Sequence, residues 1–417
     1  MKQGKGQLPK SPCRAKHSIP AYLIDSRGQP DVLFDYCLIV IFACVQWRIS
    51  VLCLRAARRR IGQRRLAWLR AAVLALDGLI AFGYSCTFYE RAAQVGIPGW
   101  LAAPLGGATT AYLMAATGAL AVYEVLRRIG HQLGADTDPT RRRILQAGGS
   151  AVLAVPFAAL GYGVFIERLN FRVREVEVPL AVLPGDLDGL RVLQLSDIHL
   201  SPFLSETDLA RVVDASRELR PHLAVVTGDL ISSRGDPLDA CIRQLARLKS
   251  DAGVFGCMGN HERYVGGETY TAAAAGRVGI EFLRQRSRQL RFGGAILNLA
   301  GVDYQKVGER KLYLKGAERL IVPGAANVLL SHNPDVFPVA AHQGYHLVMA
   351  GHTHGGQVAV EILDQSINAA RFFTPYVYGL YGGPRAAVWV TRGIGTIALP
   401  ARIGAPPEIA VLRLRKA

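Results

Sequence analysis

Acidic residues are scarce in this chain: 32 Asp and Glu stand against 49 Lys and Arg, a formal charge of +17. Such an excess leaves nucleic acid, a membrane surface or the cytoplasmic loops of a membrane protein as candidate partners. Position separates them, because about +12 falls before Phe171 and about +5 after it, mostly as arginine clusters between apolar runs. The interleaving of aromatic and basic residues used by single-strand binders is missing, so nucleic acid is not an expected partner. Cysteine is also sparse. Of seven, Cys37, Cys44, Cys53 and Cys86 sit in apolar stretches and Cys13 in the N-terminal tail. Cys241 and Cys257 lack zinc-type spacing, which leaves no disulfide framework and makes them small buried hydrophobes. Nothing at the N-terminus reads as a cleavable secretory signal. Lysine is rare beside arginine and alanine, a composition that suggests a GC-rich bacterial source.

What is abundant is hydrophobicity, and it is concentrated in the first half. A chain of 417 residues exceeds one ordinary core. A polar tail (1–30) precedes a predicted transmembrane region (31–170), and a third region (171–417) has the texture of an enzyme. Four apolar segments fall at about Val32–Leu54, Ala71–Tyr89, Trp100–Leu126 and Ile144–Phe165. Each approaches the roughly 20 residues needed to span a bilayer. The first is weakest, since Asp35 and Arg48 lie inside it, so three or four helices are expected. Asp77 raises the same cost in the second, and a partner-satisfied helix contact accounts for it as well as a functional cavity does. Arg55, Arg58, Arg59, Arg60, Arg64 and Arg65 separate the first two segments, and Arg127, Arg128, Arg141, Arg142 and Arg143 the last two. The link around Arg91–Gly99 is nearly neutral. Positive-inside reasoning puts both basic links in the cytoplasm and the C-terminal region on the outer face of the cytoplasmic membrane. Thr140-Arg141-Arg142-Arg143-Ile144-Leu145-Gln146 resembles a twin-arginine export signal, which makes that machinery a candidate partner; a plain stop-transfer arginine cluster reads equally well.

From Glu175 onward short apolar runs alternate with helical, arginine-rich stretches. Five runs end in polar, ligand-type residues: Val192–Leu195 before Ser196-Asp197-Ile198-His199, and Leu223–Val226 before Thr227-Gly228-Asp229. Gly253–Met258 precedes Gly259-Asn260-His261-Glu262, Val328–Leu330 precedes Ser331-His332-Asn333, and Leu347–Ala350 precedes Gly351-His352-Thr353-His354. In α/β sheets ligands gather beyond the carboxyl ends of strands, so the five predict one convergent site. Aspartates, an asparagine and histidines form a mixed oxygen and nitrogen donor set that suits Mn, Fe or Zn better than Ca or Mg. Seven or eight donors exceed one tetrahedral zinc and suffice for two ions, which a carboxylate can bridge for phosphoryl transfer.

This ordered set resembles the calcineurin-like metallophosphoesterases, and within them the membrane-attached branch of YkuE- and YaeI-type phosphodiesterases. The resemblance covers nearly all of the second half, including Thr391-Arg392-Gly393-Ile394-Gly395 and Arg402-Ile403-Gly404-Ala405-Pro406-Pro407-Glu408. It implies an α/β fold, a four-layer α/β/β/α sandwich preceded by the all-α transmembrane region. One divalent ion is implied on Asp197, His199, Asp229 and His354, a second on Asp229, Asn260, His332 and His352. His261 is implied to contact phosphate and assist the leaving group, with Glu262 orienting it, while a metal-bridging hydroxide attacks phosphorus in line. Arg392 and Arg402 read as solvated surface arginines or as phosphate binders. The substrate is expected to be a phosphodiester or phosphomonoester. Two other readings stay open: hydrolysis of the pyrophosphate of UDP-2,3-diacylglucosamine, and a non-catalytic, metal-stabilised interaction module.

Overall fold

The computed structural model describes residues 32–58, 61–87, 96–132, 155, 157–362, 365–397 and 399–417. Three long helices come first: α1 (Val32–Arg58), α2 (Gln63–Ser85) and α3 (Gly99–Gln132). Each contains a stretch long and apolar enough to cross a membrane, Cys37–Arg58, Gln63–Ser85 and Leu105–Gly130. Large apolar side chains such as Trp47, Trp68, Leu74 and Leu79 point away from the bundle. In water such a surface marks an interaction site, and in hydrocarbon it needs no cover.

The helix bounds differ from the expected segments for a reason. Arg55 and Arg58 close α1, and Arg64 and Arg65 open α2, so these arginines extend helices instead of filling a loop. Arginine is a good helix former, and its long stem carries the charge out from a terminal turn. Thus α2 begins at Gln63 and not at Ala71, and α3 runs to Gln132, beyond Leu126. Of the fourth segment, residues 157–165 are helical. Residues 144–154, the arginines 141–143 with the twin-arginine-like motif, Arg59, Arg60 and the 1–30 tail lie outside the described residues.

The intrahelical polar groups find one another. Asp77 of α2 accepts hydrogen bonds from Gln46 Nε2 (2.7 Å) and Ser50 Oγ (2.9 Å) of α1, and Tyr112 of α3 donates to Gln46 Oε1 (2.9 Å). Arg48 of α1 pairs with Glu124 of α3 at 2.6 Å. Asp77, Arg48 and Glu124 therefore each have a partner on another helix, which favours the contact reading of Asp77.

The rest is built on two six-stranded sheets. One runs β1 (Arg172–Leu180), β14 (Glu408–Lys416), β2 (Arg191–Leu195), β3 (Leu223–Val226), β4 (Val254–Gly256), β5 (Ile280–Phe282) in spatial order. The other runs β12 (Gly379–Gly383), β13 (Ala386–Val390), β9 (Leu347–Ala350), β8 (Ala326–Leu330), β7 (Ala295–Gly301), β6 (Arg286–Phe292). Strand side chains alternate faces. Val192, Val225, Leu299, Val328, Leu330 and Trp389 meet between the sheets. On the outer face of the first sheet, Leu193, Leu195 and Val226 pack under α4 (Glu206–Glu218), α5 (Leu238–Leu245) and α7 (Glu268–Arg277). Leu329, Val348 and Val390 pack under α8 (Phe337–Gln343) on the other side. The result is the expected α/β/β/α layering. Burial on both faces explains why these strands read as continuous apolar runs.

Helices and sandwich touch through a few loops. Leu160 and Val164 cluster with Ala111 of α3 and with Val358, Leu399 and Ala401. The Gly163 carbonyl accepts the Arg402 N–H at 3.2 Å, and buried Glu167 accepts the Gly404 N–H at 3.0 Å.

Candidate metal centre

All five predicted strand ends converge. β2, β3 and β4 bring Asp197, His199, Asp229 and Asn260 from one sheet, and β8 and β9 bring His332, His352 and His354 from the other. Gln194 bridges the sheets beneath them, donating to Thr227 Oγ1 (2.7 Å) and to the Ala350 carbonyl (3.1 Å). The local backbone is strained to achieve this. Asp197, His199, Asp229, His352 and His354 all have positive φ, between 47° and 75°. Residues with side chains seldom adopt that conformation, and when they do they cluster at functional sites. Gly259 and Gly351 are needed for space: a Cβ on Gly259 would lie 2.1 Å from Asp229 Oδ1, and one on Gly351 2.2 Å from Asp197 Oδ2.

Asp229 lies at the middle. Its Oδ2 is 3.5 Å from His199 Nε2, 3.0 Å from His332 Nε2 and 4.0 Å from His261 Nε2, while Oδ1 accepts the His261 N–H at 2.9 Å. Asp197 Oδ1 is 3.4 Å from His354 Nε2 and accepts the His352 N–H at 2.9 Å. His352 Nδ1 is 2.8 Å from Asn260 Oδ1. Three groups of donor atoms lie close enough to share an ion: Asp197 with His199 and His354, His199 with Asp229 and His261, and Asp229 with His332 and His352.

The tautomers can be read from the partners. His332 Nδ1 lies 2.6 Å from the Thr227 carbonyl and His261 Nδ1 2.7 Å from the Ser232 carbonyl. A carbonyl only accepts, so each Nδ1 carries a proton and each Nε2 faces inward. The Nε2 atoms of His199 and His332 are buried without a hydrogen-bond partner. Buried orphan acceptors are costly, and a divalent cation is the partner that fits a lone pair facing two carboxylates. The residues present therefore fit a metal centre.

Electrostatics agree. Burial, reinforced by neighbouring histidines, pushes His199 and His352 down to about 3 and holds His354 well below the usual imidazole range, so these imidazoles are neutral, as ligation requires. Burial would also lower His332, but the Asp229 and Asp197 carboxylates outweigh it and raise it to about 10, so its Nε2, 3.0 Å from Asp229 Oδ2, holds a proton that a cation bound there would displace. Burial opposes ionisation of Asp229, yet His332 and His261 hold it well below the usual carboxylate range. Burial raises Asp197.

Two sequence expectations need correction. Glu262 does not orient the His261 ring; the Ser232 carbonyl does. Glu262 is fully buried, and its carboxylate accepts the N–H groups of Asp229 (2.9 Å), Leu230 (2.7 Å) and Gly259 (2.8 Å), tying the β3 and β4 loops together. Arg402 is not a surface residue. It is fully buried, and its guanidinium donates to the carbonyls of Arg392, Gly395 and Ala405, which leaves no fork for phosphate. Arg392 is half-buried, stacked 3.8 Å above the Tyr378 ring. Sequence reasoning missed Ser232, Asp236, Tyr264 and Tyr304. Ser232 Oγ holds His199 Nδ1 at 3.0 Å, and Asp236 accepts the N–H groups of Ser232 and Ser233. Tyr264 stacks edge-on near His261, and Tyr304 near His332 and His352. None of the four sits in a recognisable spacing.

Comparison with known proteins places this arrangement. A family model described as calcineurin-like phosphoesterase matches residues 190–356. A zebrafish (Danio rerio) transmembrane protein with metallophosphoesterase domain is 29% identical over 410 residues, covering 93% of this chain and 89% of its own. The metallophosphoesterase YkuE of Bacillus subtilis is 27% identical, covering 66% of this chain and 98% of its own. Phosphodiesterase YaeI of Escherichia coli is also 27% identical, covering 66% and 99%. With two sheets, three apolar helices and histidines and aspartates gathered at the strand ends, the chain carries a calcineurin-like metallophosphoesterase domain and is a homologue of YkuE, YaeI and the transmembrane metallophosphoesterase proteins.

Proposed function

We propose that the chain is a membrane-anchored phosphodiesterase whose catalytic unit spans 171–417 and holds two divalent ions, Mn, Fe or Zn. The observation that carries this reading is Asp229 Oδ2 facing histidine nitrogens from both sheets, with His199 and His332 Nε2 lacking any other partner. Asp197, His199, Asp229 and His354 would hold one ion, and Asp229, Asn260, His332 and His352 the other. When bound, such ions supply Lewis acidity to phosphate oxygens and activate a water as nucleophile. The chain's own residues do the rest. Asp229 lies between the two donor sets, so it fixes their spacing. His261, protonated at Nδ1, keeps Nε2 4.0 Å from Asp229 Oδ2, where it can hold a proton for a departing alkoxide oxygen. Tyr264 and Tyr304 wall the same side and limit water.

Membrane anchorage rests on the three helices, and the orientation on their ends. The arginines of α1, α2 and α3 (Arg55, Arg58, Arg64, Arg65, Arg127, Arg128) cluster at one end of the bundle. The sandwich meets α3 near Gly107 and Ala111, towards the other end. Positive-inside reasoning then sets the catalytic unit outside the cytoplasm.

The test is hydrolysis of bis-p-nitrophenyl phosphate by the full chain in detergent, with Mn or with chelator. Turnover should need metal, and Asp229→Asn should lower it by more than about 100-fold, since even outer-shell partners of a metal cost 10–100-fold. Turnover that survives chelation or this substitution would sink the reading.

A further inference from the structure

The most solvent-exposed aromatic side chains of the sandwich are neighbours. Phe372 is 89% and Phe373 77% exposed, at the end of the short turn Ala369–Phe372. Two such rings side by side are an unusual surface for water to bear. Their position bears on the question of what covers them. The turn follows the hairpin β10 (Ala359–Ile362) and β11 (Gln365–Asn368), in which Asn368 pairs with Ala359. Ala359 donates to the Ile403 carbonyl at 2.7 Å, and its neighbour Val358 packs in the cluster containing Ala111 and Val164. Ala111 lies within the stretch Leu105–Gly130 that can cross a membrane. The hairpin base thus rests on a candidate span, and the phenylalanines stand four and five residues beyond it. The same base abuts the loop that carries His354: a Cβ on Gly356, two residues on, would lie 2.7 Å from Asn368 Cγ. Arg371, beside Phe372, is exposed too and adds a positive charge to this apolar surface, and Phe165, at the end of the helical segment leading into the sandwich, is also exposed.

We propose that Phe372 and Phe373 dip into the bilayer that holds the helices, and that the substrate is a phosphodiester on an amphiphile embedded in that bilayer. The proposal rests on the hydrolase reading above and adds the substrate class and the surface that presents it. Phenylalanine rings insert at the boundary of headgroups and acyl chains, and arginine there pairs with phosphate. A site whose rim sits in that layer receives a headgroup phosphate without extracting the lipid. Hydrolysis adds water across one P–O bond: oxygen from water joins phosphorus, and the leaving alkoxide takes the proton. The products are a phosphomonoester and an alcohol.

Two probes with the same reacting bond separate the parts of the claim, hexadecyl p-nitrophenyl phosphate in nanodiscs and soluble methyl p-nitrophenyl phosphate. With the full chain in nanodiscs and Mn, kcat/KM for the hexadecyl ester should exceed that for the methyl ester by at least about tenfold, because the buried chain contributes binding. The double variant Phe372→Ser/Phe373→Ser should lose that preference and keep the methyl rate. Equal rates in the unmodified chain, or a preference retained by the double variant, would overturn the proposal. Hydrolysis of neither probe would instead defeat the hydrolase reading, and this proposal with it. Independently of turnover, the emission added by Phe373→Trp should be quenched by bromine on lipid acyl chains. Quenching by aqueous iodide alone would place the ring in water, as for a protein-docking patch, and overturn it.

Discussion

At the scale of single residues, the metal centre depends on side chains that never face a substrate. Glu262 is one. Its two oxygens serve three backbone N–H groups, and two of these belong to Asp229 and Leu230. Glu262→Gln keeps the shape but turns an NH2 group towards N–H donors. Leaving buried donors unmet should cost about 1–3 kcal/mol, read as a lower Tm, with weaker Mn binding by calorimetry because Asp229 is displaced. An unchanged Tm would mean the carboxylate is not holding this loop. Asp236 gives a pH signature. Burial raises its carboxyl from 3.8 to about 6, against the lowering effect of the Ser233 and Ser232 N–H groups. The folded state therefore binds this proton more tightly than the unfolded chain. Its contribution to stability is fully present below about pH 4 and is lost as pH rises through 6. In chelator, the Tm of Asp236→Asn relative to the unmodified chain should rise from pH 4 to pH 7. A difference that stays flat over that range would refute the shift.

The element scale explains what was legible in the sequence. The five strand ends could be read because each buried strand is an unbroken apolar run followed by a rare ligand cluster, as at Leu347–Ala350 before His352 and His354. The orienting role that the resemblance implies for Glu262 fails on geometry: on α6 (Asn260–Tyr264), residues i and i+1 do not face each other, so the carboxylate turns away from the His261 ring. Asp236, and the buried role of Arg402, could not be found by pattern, because their partners are backbone groups that leave no mark in composition. Helix bounds were missed where arginine, read as loop, continues the helix. The polar contacts among α1, α2 and α3 were invisible for a related reason, since spacing along one helix does not say which face meets another. Asp77→Ala should leave Gln46 and Ser50 short of a partner and destabilise the bundle by about 0.6–2 kcal/mol. Resistance of the full chain to denaturing detergent should fall, while bis-p-nitrophenyl phosphate turnover of the folded fraction stays constant. Loss of specific activity with an intact bundle would instead give Asp77 a role in the reaction.

For the whole molecule, the two halves are joined where the chemistry is. Loops 358–359 and 399–404 lie against α3 and the helical segment 157–165, and Arg402, at the heart of that junction, also donates to the carbonyls that shape the loop 392–405. Gly163 sits against this junction, 2.7 Å from the Arg402 carbonyl if it bore a Cβ. Gly163→Leu should therefore disturb the catalytic loops from a helix that carries no ligand, lowering turnover at saturating Mn. An unchanged rate would show that the helical region is a tether only.

In the proposed centre, histidines and aspartates from both sheets hold a pair of ions through a shared Asp229. Metal content of the full chain, stripped with chelator, reloaded with Mn and measured by elemental analysis after gel filtration, tests it most directly. Two ions per chain are expected, falling to one or fewer in Asp229→Asn. A folded chain that retains no ion, or an Asp229→Asn variant that keeps both, would contradict it.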